Sequence, residues 1–504
     1  MTPETSLGTC CRRVWRDARR LGDGEVQLHH LFTEVKSESG VSCRPVRCNL
    51  HRFLDNVVDM GADQSRDTTS RSTKETRKRL ELSLKTLVDS VVVQDGCVML
   101  DEPLVFDQFC KDLLGQDPWK KHLRYGDVFE IFMSQGKEAV LSGSVTAERR
   151  TSSLASTERE ALCQGLQSFL LSLPRDYEVW LSLPSFEWWG TDEIRVAESL
   201  SFAKEILPET LSGKSKASKG SSTRRATKGC VFLKVVTKGY GGCLRDTTAA
   251  AGAFSLAKQL LQFAKIESLF YEMPKVVMPP QRLNEVCAYA LDLNAPTRRF
   301  VEVPVSDAIR EHVAFLKVFE DMVIARSTLT QTGKRRRSRE KHEALREVLL
   351  PFGSLFDMAN VEPESALRVF AGLEWLFDSE ATEDQTLAFL QACIGLEAML
   401  GDDDKDEPLM QRLADRCAFL LGSGWKERGL LRDKFKAIYK LRSKLVHGRR
   451  RRLEPDEGKT LKAVNELLTR VIVKEIEHLQ RAVSRTTRLN RTRLPEVWKR
   501  PRGV

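Results

Sequence analysis

The stretch Leu430–His447, LLRDKFKAIYKLRSKLVH, decides how the C-terminal part of this chain folds. Its apolar residues Leu431, Phe435 and Ile438 follow the three- and four-residue spacing of a helix with one buried face. The next position on that face is Arg442. Because an unpaired guanidinium in a protein interior costs several kcal/mol, we expect Arg442 to contact an anion or to face a cleft that receives one.

An upstream segment, TLAFLQACIGLEAMLG at 386–401, supplies a matching acid. The spacing of Leu387, Leu390 and Ile394 leads along one helical face to Glu397. Opposite charges on the inner faces of two adjacent helices predict a Glu397–Arg442 ion pair. Two interpretations stay open, since such a pair either fixes the register of the helices or belongs to a functional site.

The surrounding residues, 343–480, predict an all-α helical bundle. They hold five apolar-periodic segments with short breaks and no strand pattern between them. These segments are Ala366–Phe377, Thr386–Leu400, Leu409–Leu421, Leu430–His447 and Thr460–Leu479. Residues 481–504 follow as a basic tail, with eight lysines and arginines against Glu496 alone.

Residues 161–330 predict an α+β domain. Alternating or β-branched runs indicate strands at Tyr177–Leu183, Cys230–Val236 and Arg299–Val305, and helical spacing appears at Ala161–Leu173 and Thr248–Ile266. The stretch 212–228 holds six basic residues and no acid, which predicts a loop. Residues 1–160 form a helix-leaning region of unknown role. The fold class is therefore α+β multidomain: an N-terminal mixed region, a central α+β domain and the C-terminal bundle.

Composition narrows the classes of protein. With 504 residues, 41% apolar and 30% charged, the chain is globular and long enough for about three domains. The net charge of +10 is a weak indication of a polyanionic partner. No run approaches the ~18 apolar residues of a membrane span, and no signal-peptide core follows the N-terminus, so we expect a cytoplasmic protein with no membrane partner.

The sequence offers little support for a cofactor. Cys10, Cys11, Cys43, Cys48 and His51 match no paired zinc-ligand spacing, so ordinary buried residues are favoured over a zinc site. The glycine turn at 239–242 resembles the dinucleotide-binding pattern only until Leu244, where that pattern requires glycine. We expect no metal and no cofactor.

His447 is the last residue of the predicted helix Leu430–His447. It follows Arg442 by five residues, or ~500° of helical rotation, which leaves the two side chains about 140° apart. Gly448 comes next and favours a left-handed helix end. An imidazole titrates near neutral pH and is the usual proton carrier; the alternative is a histidine favoured at a helix end by the dipole. The four arginines Arg449, Arg450, Arg451 and Arg452 then form a phosphate-attracting patch.

The segment Tyr439–Gly448, YKLRSKLVHG, resembles the signature of the HEPN superfamily, an arginine and a histidine separated by four to six residues. With GLEAML at 395–400 upstream, residues 365–480 look like the Apea-like HEPN group in particular. The resemblance implies an all-helical domain that forms a homodimer. It also implies a metal-independent endoribonuclease, as in defence or toxin systems, whose large N-terminal region senses a trigger or a regulatory partner.

The resemblance also implies roles for individual residues. His447 would act as general acid or base on the RNA, Arg442 would bind the scissile phosphate, and Glu397 would orient Arg442. Ser443 stands after the arginine, where many active members carry asparagine or aspartate. Tyr439 and Lys444 would join the four arginines in binding RNA. The alternative is a non-catalytic, dimerising protein that binds nucleic acid or a regulatory partner.

Overall fold

The computed structural model describes residues 74–94, 97–142, 151–186, 193–204, 231–244, 246–272, 283, 285–295, 300–318, 323, 338–359, 363–401, 409–454 and 457–492. The predicted basic loop at 212–228, the cysteine and histidine grouping near the N-terminus and the end of the basic tail lie outside these residues. Within them the chain is mixed α and β, with a six-stranded antiparallel sheet followed by helices.

The first part of the described chain packs helices around a small sheet. Its elements are α1 (Lys74–Asp89), β1 (Val91–Gln94), β2 (Cys97–Leu100), α2 (Pro103–Leu114), α3 (Trp119–His122), α4 (Tyr125–Ser142), β3 (Thr151–Ser153) and α5 (Ser156–Leu171). The strands are ordered β2-β1-β3. Leu162, Leu166 and Leu170 recur every four residues along α5 and join this core. The Trp119 indole donates to the Leu170 carbonyl over 2.7 Å, which satisfies a polar group inside the core.

The central part is built on the six-stranded sheet, ordered β10-β9-β4-β7-β6-β5. Its elements are β4 (Arg175–Leu183), β5 (Ile194–Ala197), β6 (Leu200–Ala203), β7 (Val231–Gly239), α6 (Thr248–Ile266), β8 (Phe270–Glu272), β9 (Ala288–Asp292), β10 (Phe300–Val303), α7 (Asp307–Ala314) and β11 (Leu316–Val318). Strands β4 and β7 pair along their whole length, from Arg175 opposite Gly239 to Leu183 opposite Val231. Alternation therefore points Val179 and Leu181 towards the main core and Trp180 to the other face.

Six helices complete the described chain. They are α8 (Ser338–Ala359), α9 (Pro363–Ala381), α10 (Gln385–Leu400), α11 (Leu409–Leu421), α12 (Trp425–Val446) and α13 (Gly458–Thr492). The five segments predicted from periodicity are confirmed as α9 to α13. Helix α8 was not among the predicted segments, because its first residues lie in a basic run and Pro351 interrupts its apolar pattern.

The core is continuous from the sheet to these helices, because α6 lies between them. Phe263 of α6 packs against Phe352 of α8 with ring centroids 5.4 Å apart. Lys258 and Lys265 of the same helix pair with Asp378 and Glu380 of α9, at 2.7 and 2.8 Å. One helix thus joins the sheet and the C-terminal helices in a single hydrophobic cluster. Among the described residues no helix combines the length and apolarity needed to cross a lipid bilayer.

Candidate functional site

The predicted contact between Glu397 of α10 and Arg442 of α12 is present. Nε of Arg442 lies 3.0 Å from Oε1 of Glu397, and Nη2 donates a hydrogen bond to Oε2 over 3.1 Å. Both side chains are 23% exposed. One hydrogen bond and one close ion-pair contact to the same carboxylate limit the rotation of the guanidinium, although Glu397 Oε1 itself accepts no hydrogen bond. Arg442 is therefore held at the margin of the core.

The position of Glu397 on its helix corrects the sequence analysis. The buried residues of α10 include Phe389, Ala392 and Leu396, whereas Leu387, predicted to face inward, is 50% exposed. Glu397 therefore borders the buried face and does not interrupt it. The error has a physical cause, since α10 is apolar on almost every side and its periodicity does not select one face.

The Glu397–Arg442 pair is also affected by burial and by a neighbouring aromatic ring. Burial raises the pKa of the Glu397 carboxyl above its usual range, although the Arg442 guanidinium opposes that rise. The guanidinium carbon lies 5.5 Å from the ring centroid of Tyr439, which in turn stacks on Phe435 at 6.2 Å. Tyr439 thus supports Arg442 from within the protein, and its ring face is occupied.

His447 caps α12 as predicted. Its backbone (φ −85°, ψ 12°) ends the helix, its N–H donates to the Ser443 carbonyl over 3.1 Å, and Gly448 takes the left-handed conformation with φ +68°. The His447 imidazole is exposed, and no hydrogen bond to it is found within the described ranges. Because α12 remains helical through Val446, Arg442 and His447 keep their separation of about 140° around the axis. The structure therefore does not bring these two side chains into contact within one chain.

The basic residues around the helix end are of two kinds. Lys444, Arg449, Arg451 and Arg452 are exposed, and none forms an ion pair with another described residue. Lys444 and Arg452 do lie near enough to Glu457 and Asp384 to contribute to the lowered pKa of those carboxyls. The charges of the four basic residues are available to a polyanion that approaches the end of α12.

Arg450 differs from its neighbours. It pairs with Glu457 at 2.7 Å and also with Glu454, and its side chain is mostly buried. The neighbouring Leu453 N–H donates to Thr386 Oγ1 over 3.0 Å. Arg450 thus fastens the segment after α12 to the start of α13, and its charge is already compensated.

The sequence analysis overlooked a second stripe on α12, which is exposed at its two ends, Trp425 and His447, and half-buried between them. Its members are spaced by three, four or seven residues and fall within an arc of ~100°. They are Trp425, Arg428, Arg432, Lys436, Ser443 and His447. The same helical-wheel argument that led to Arg442 would have found them, had it been applied to the polar side of the helix.

Two exposed aromatic rings lie at the N-terminal end of this stripe, one on α12 and one on α11. Trp425 is 80% exposed, and Phe419 of α11 is 58% exposed. The Arg428 and Arg432 guanidinium carbons lie 4.6 and 5.7 Å from the Phe419 ring centroid.

Within the described residues no group of three or more histidine, cysteine, aspartate or glutamate side chains could hold a metal ion. A shallow cavity of about 650 Å³ lies along α13, and none of the predicted site residues lines it.

Comparison with protein-family models, curated proteins and solved structures finds no match to this chain. The HEPN resemblance rests on the residues quoted for it and stays a prediction.

Proposed function

We propose that this protein is a metal-independent endoribonuclease of the HEPN type, with a site around Arg442 and His447. The observation that carries the proposal is the Glu397–Arg442 ion pair on the same helix whose C-terminal end carries an exposed histidine. It supplies a fixed cation for a phosphate and an imidazole that solvent can reach. The exposed Lys444, Arg449, Arg451 and Arg452 add attraction for the RNA backbone.

The proposed chemistry is transfer of the phosphoryl group to the 2′-oxygen. The His447 imidazole takes the proton of the 2′-hydroxyl, the bond between O2′ and phosphorus forms, and the bond between phosphorus and O5′ breaks. An imidazolium returns a proton to O5′, so that the products are a 2′,3′-cyclic phosphate and a 5′-hydroxyl. Arg442 stabilises the charge that develops on the phosphate oxygens, and Glu397 positions Arg442.

A homodimer is part of the proposal for a geometric reason. Within one chain the Arg442 and His447 side chains leave α12 about 140° apart. A second copy packed against the end of α12 would allow Arg442 of one copy to serve the same phosphate as His447 of the other. The N-terminal region, of unassigned role, would then control access or assembly in response to a trigger.

A second candidate function is binding of nucleic acid without cleavage. It is favoured by the state of Arg442, whose guanidinium is already engaged by Glu397, while three of the four following arginines remain exposed. In that case the ion pair fixes helix register and the exposed arginines hold the polyanion.

The test is cleavage of single-stranded RNA by the purified full chain in the presence of a chelator. We expect cyclic-phosphate products, and a loss of at least ~100-fold in rate in His447→Ala and in Arg442→Ala. The matched control is His478→Ala, which removes another exposed helical histidine, on α13, and should leave the rate unchanged. Cleavage that persists in both variants would remove the assignment, and salt-sensitive binding without products would favour the second candidate.

A further inference from the structure

We propose that this stripe of α12 (Trp425, Arg428, Arg432, Lys436, Ser443 and His447), together with Phe419, is a track that binds single-stranded RNA and leads it to His447. The inference rests on the proposed function for the identity of its polyanion. It adds an extended binding surface that runs along α12 from Trp425 to His447, and it specifies that the bases of the RNA are unpaired.

The aromatic end of the track supplies surfaces for bases. Trp425 and Phe419 are two of several large apolar side chains that the described part of the chain leaves exposed, and they are the aromatic ones at this end of α12. Arg428 and Arg432 lie over the Phe419 ring, so a base can stack only on the part of the ring that they leave exposed, next to the two guanidinium groups. Aromatic rings with interleaved cations are the combination that binds single strands without a strict sequence requirement.

The charge along α12 supplies the complement of a phosphate backbone. The helix carries eight lysines and arginines against Glu427 and Asp433, a net charge of +6 over 22 residues. Arg428, Arg432 and Lys436 occupy the stripe between Trp425 and the helix end. Arg432 is already paired with Asp415 of α11, so Arg428 and Lys436 are the cations of this stretch that a phosphate can use. The distance from Trp425 to His447 is about 33 Å along the axis, enough for several nucleotides.

The geometry favours a single strand over a duplex. In an A-form duplex the bases stack on one another, and their faces are not available to a protruding indole. An unpaired strand can place its bases on Trp425 and Phe419 while its phosphates follow the cations.

The experiment measures the Kd of the full chain for a labelled oligonucleotide of about 12 nucleotides by fluorescence anisotropy. The strand is 2′-O-methyl oligoadenylate, which lacks the nucleophile and cannot be cleaved by the proposed chemistry. Trp425→Ala is expected to raise Kd about tenfold, and Phe419→Ala to raise it severalfold. The matched control is Leu430→Ala, because Leu430 is 72% exposed on the same helix but lies about 140° from Trp425 around the axis.

Two further comparisons separate base stacking from charge. The effect of Trp425→Ala should vanish for an abasic strand of equal length and for a hairpin duplex. Lys436→Gln should lower the slope of log K against log salt by about 0.7, whereas Lys434→Gln, on the opposite side of α12, should leave the slope unchanged.

The proposal is overturned if Trp425→Ala binds the strand as the unchanged chain does, or if Leu430→Ala weakens binding equally. It is also overturned if Trp425→Ala lowers the oligomeric mass in sedimentation without changing the Kd, since the face would then hold a second copy. Selective weakening by Trp425→Ala supports the track even if the His447→Ala cleavage test fails, so the two proposals fail independently.

Discussion

At Arg442 a charge is held by two neighbours of different kinds, a carboxylate and the face of an aromatic ring. The sequence was sufficient to predict the carboxylate, because a charged residue on an apolar stripe requires an opposite charge nearby. The role of Tyr439 was not predictable in the same way. Its position beneath the guanidinium depends on side-chain rotamers, which spacing along a helix does not determine.

Replacing Arg442 by methionine tests the energetics of this pair. We expect Arg442→Met to lower the free energy of unfolding by about 2 kcal/mol near neutral pH, because a mostly buried carboxylate loses its partner. The pKa of Glu397 is already raised by burial and would rise further. Because the folded chain then binds a proton at Glu397 more tightly than the unfolded chain does, the loss of stability should shrink as the pH falls from neutral through the raised pKa of Glu397.

Denaturant unfolding of the full chain at several pH values measures this effect. The double variant Glu397→Gln with Arg442→Met is the control, because it removes both charges and should recover most of the lost stability. A double variant as unstable as the single one would show that packing, and not the unpaired charge, is responsible.

Among the secondary-structure elements, agreement with the sequence was best where periodicity was long and regular. Helix α6 (Thr248–Ile266) and helix α11 (Leu409–Leu421) have the predicted bounds, and the strands at 177 and 231 were found within a few residues. The sequence pattern did not distinguish the short strands β1 and β2 from the helix-leaning region around them. Four apolar residues in succession, as in VVVQ and CVML, fit a strand or a buried helical turn equally well.

Helix α8 approaches the sheet closely at Gly353, where a larger side chain would not fit. A Cβ on Gly353 would lie 2.0 Å from the carbonyl oxygen of Val196 in β5, closer than any van der Waals contact allows. Gly353→Ala should therefore push α8 from the sheet edge and lower the midpoint of thermal unfolding by several degrees, equivalent to a few kcal/mol.

The matched control is Gly429→Ala in α12, where the new methyl group meets nothing within 4 Å. Alanine there should raise stability by about 0.5–1 kcal/mol through helix propensity alone. Equal responses of the two variants would mean that α8 does not approach β5 so closely.

For the whole molecule, the decisive feature is the core shared by the sheet and the C-terminal helices. Apolar periodicity predicted a helical bundle, but it could not show how that bundle meets the rest of the chain. Such contacts depend on which faces of α6 remain uncovered by the sheet, and that follows from tertiary packing.

A fragment experiment tests this continuity. Residues 338–504 expressed alone should fail to unfold cooperatively, since the fragment exposes Phe352 and leaves Asp378 and Glu380 without the lysines of α6. Residues 174–504, which retain the sheet and α6, should unfold in a single cooperative transition. A shorter fragment as stable as the longer one would contradict a shared core.

The turn after α12 has one further consequence. Arg450 and Leu453 fasten this turn to Glu457 and Thr386, so its outward-facing arginines are arranged before any ligand arrives. A ligand therefore loses little conformational entropy on ordering the turn, and its affinity gains accordingly. If an anion binds at the end of α12 as proposed, Thr386, which carries no charge, would affect that binding by holding the turn in place.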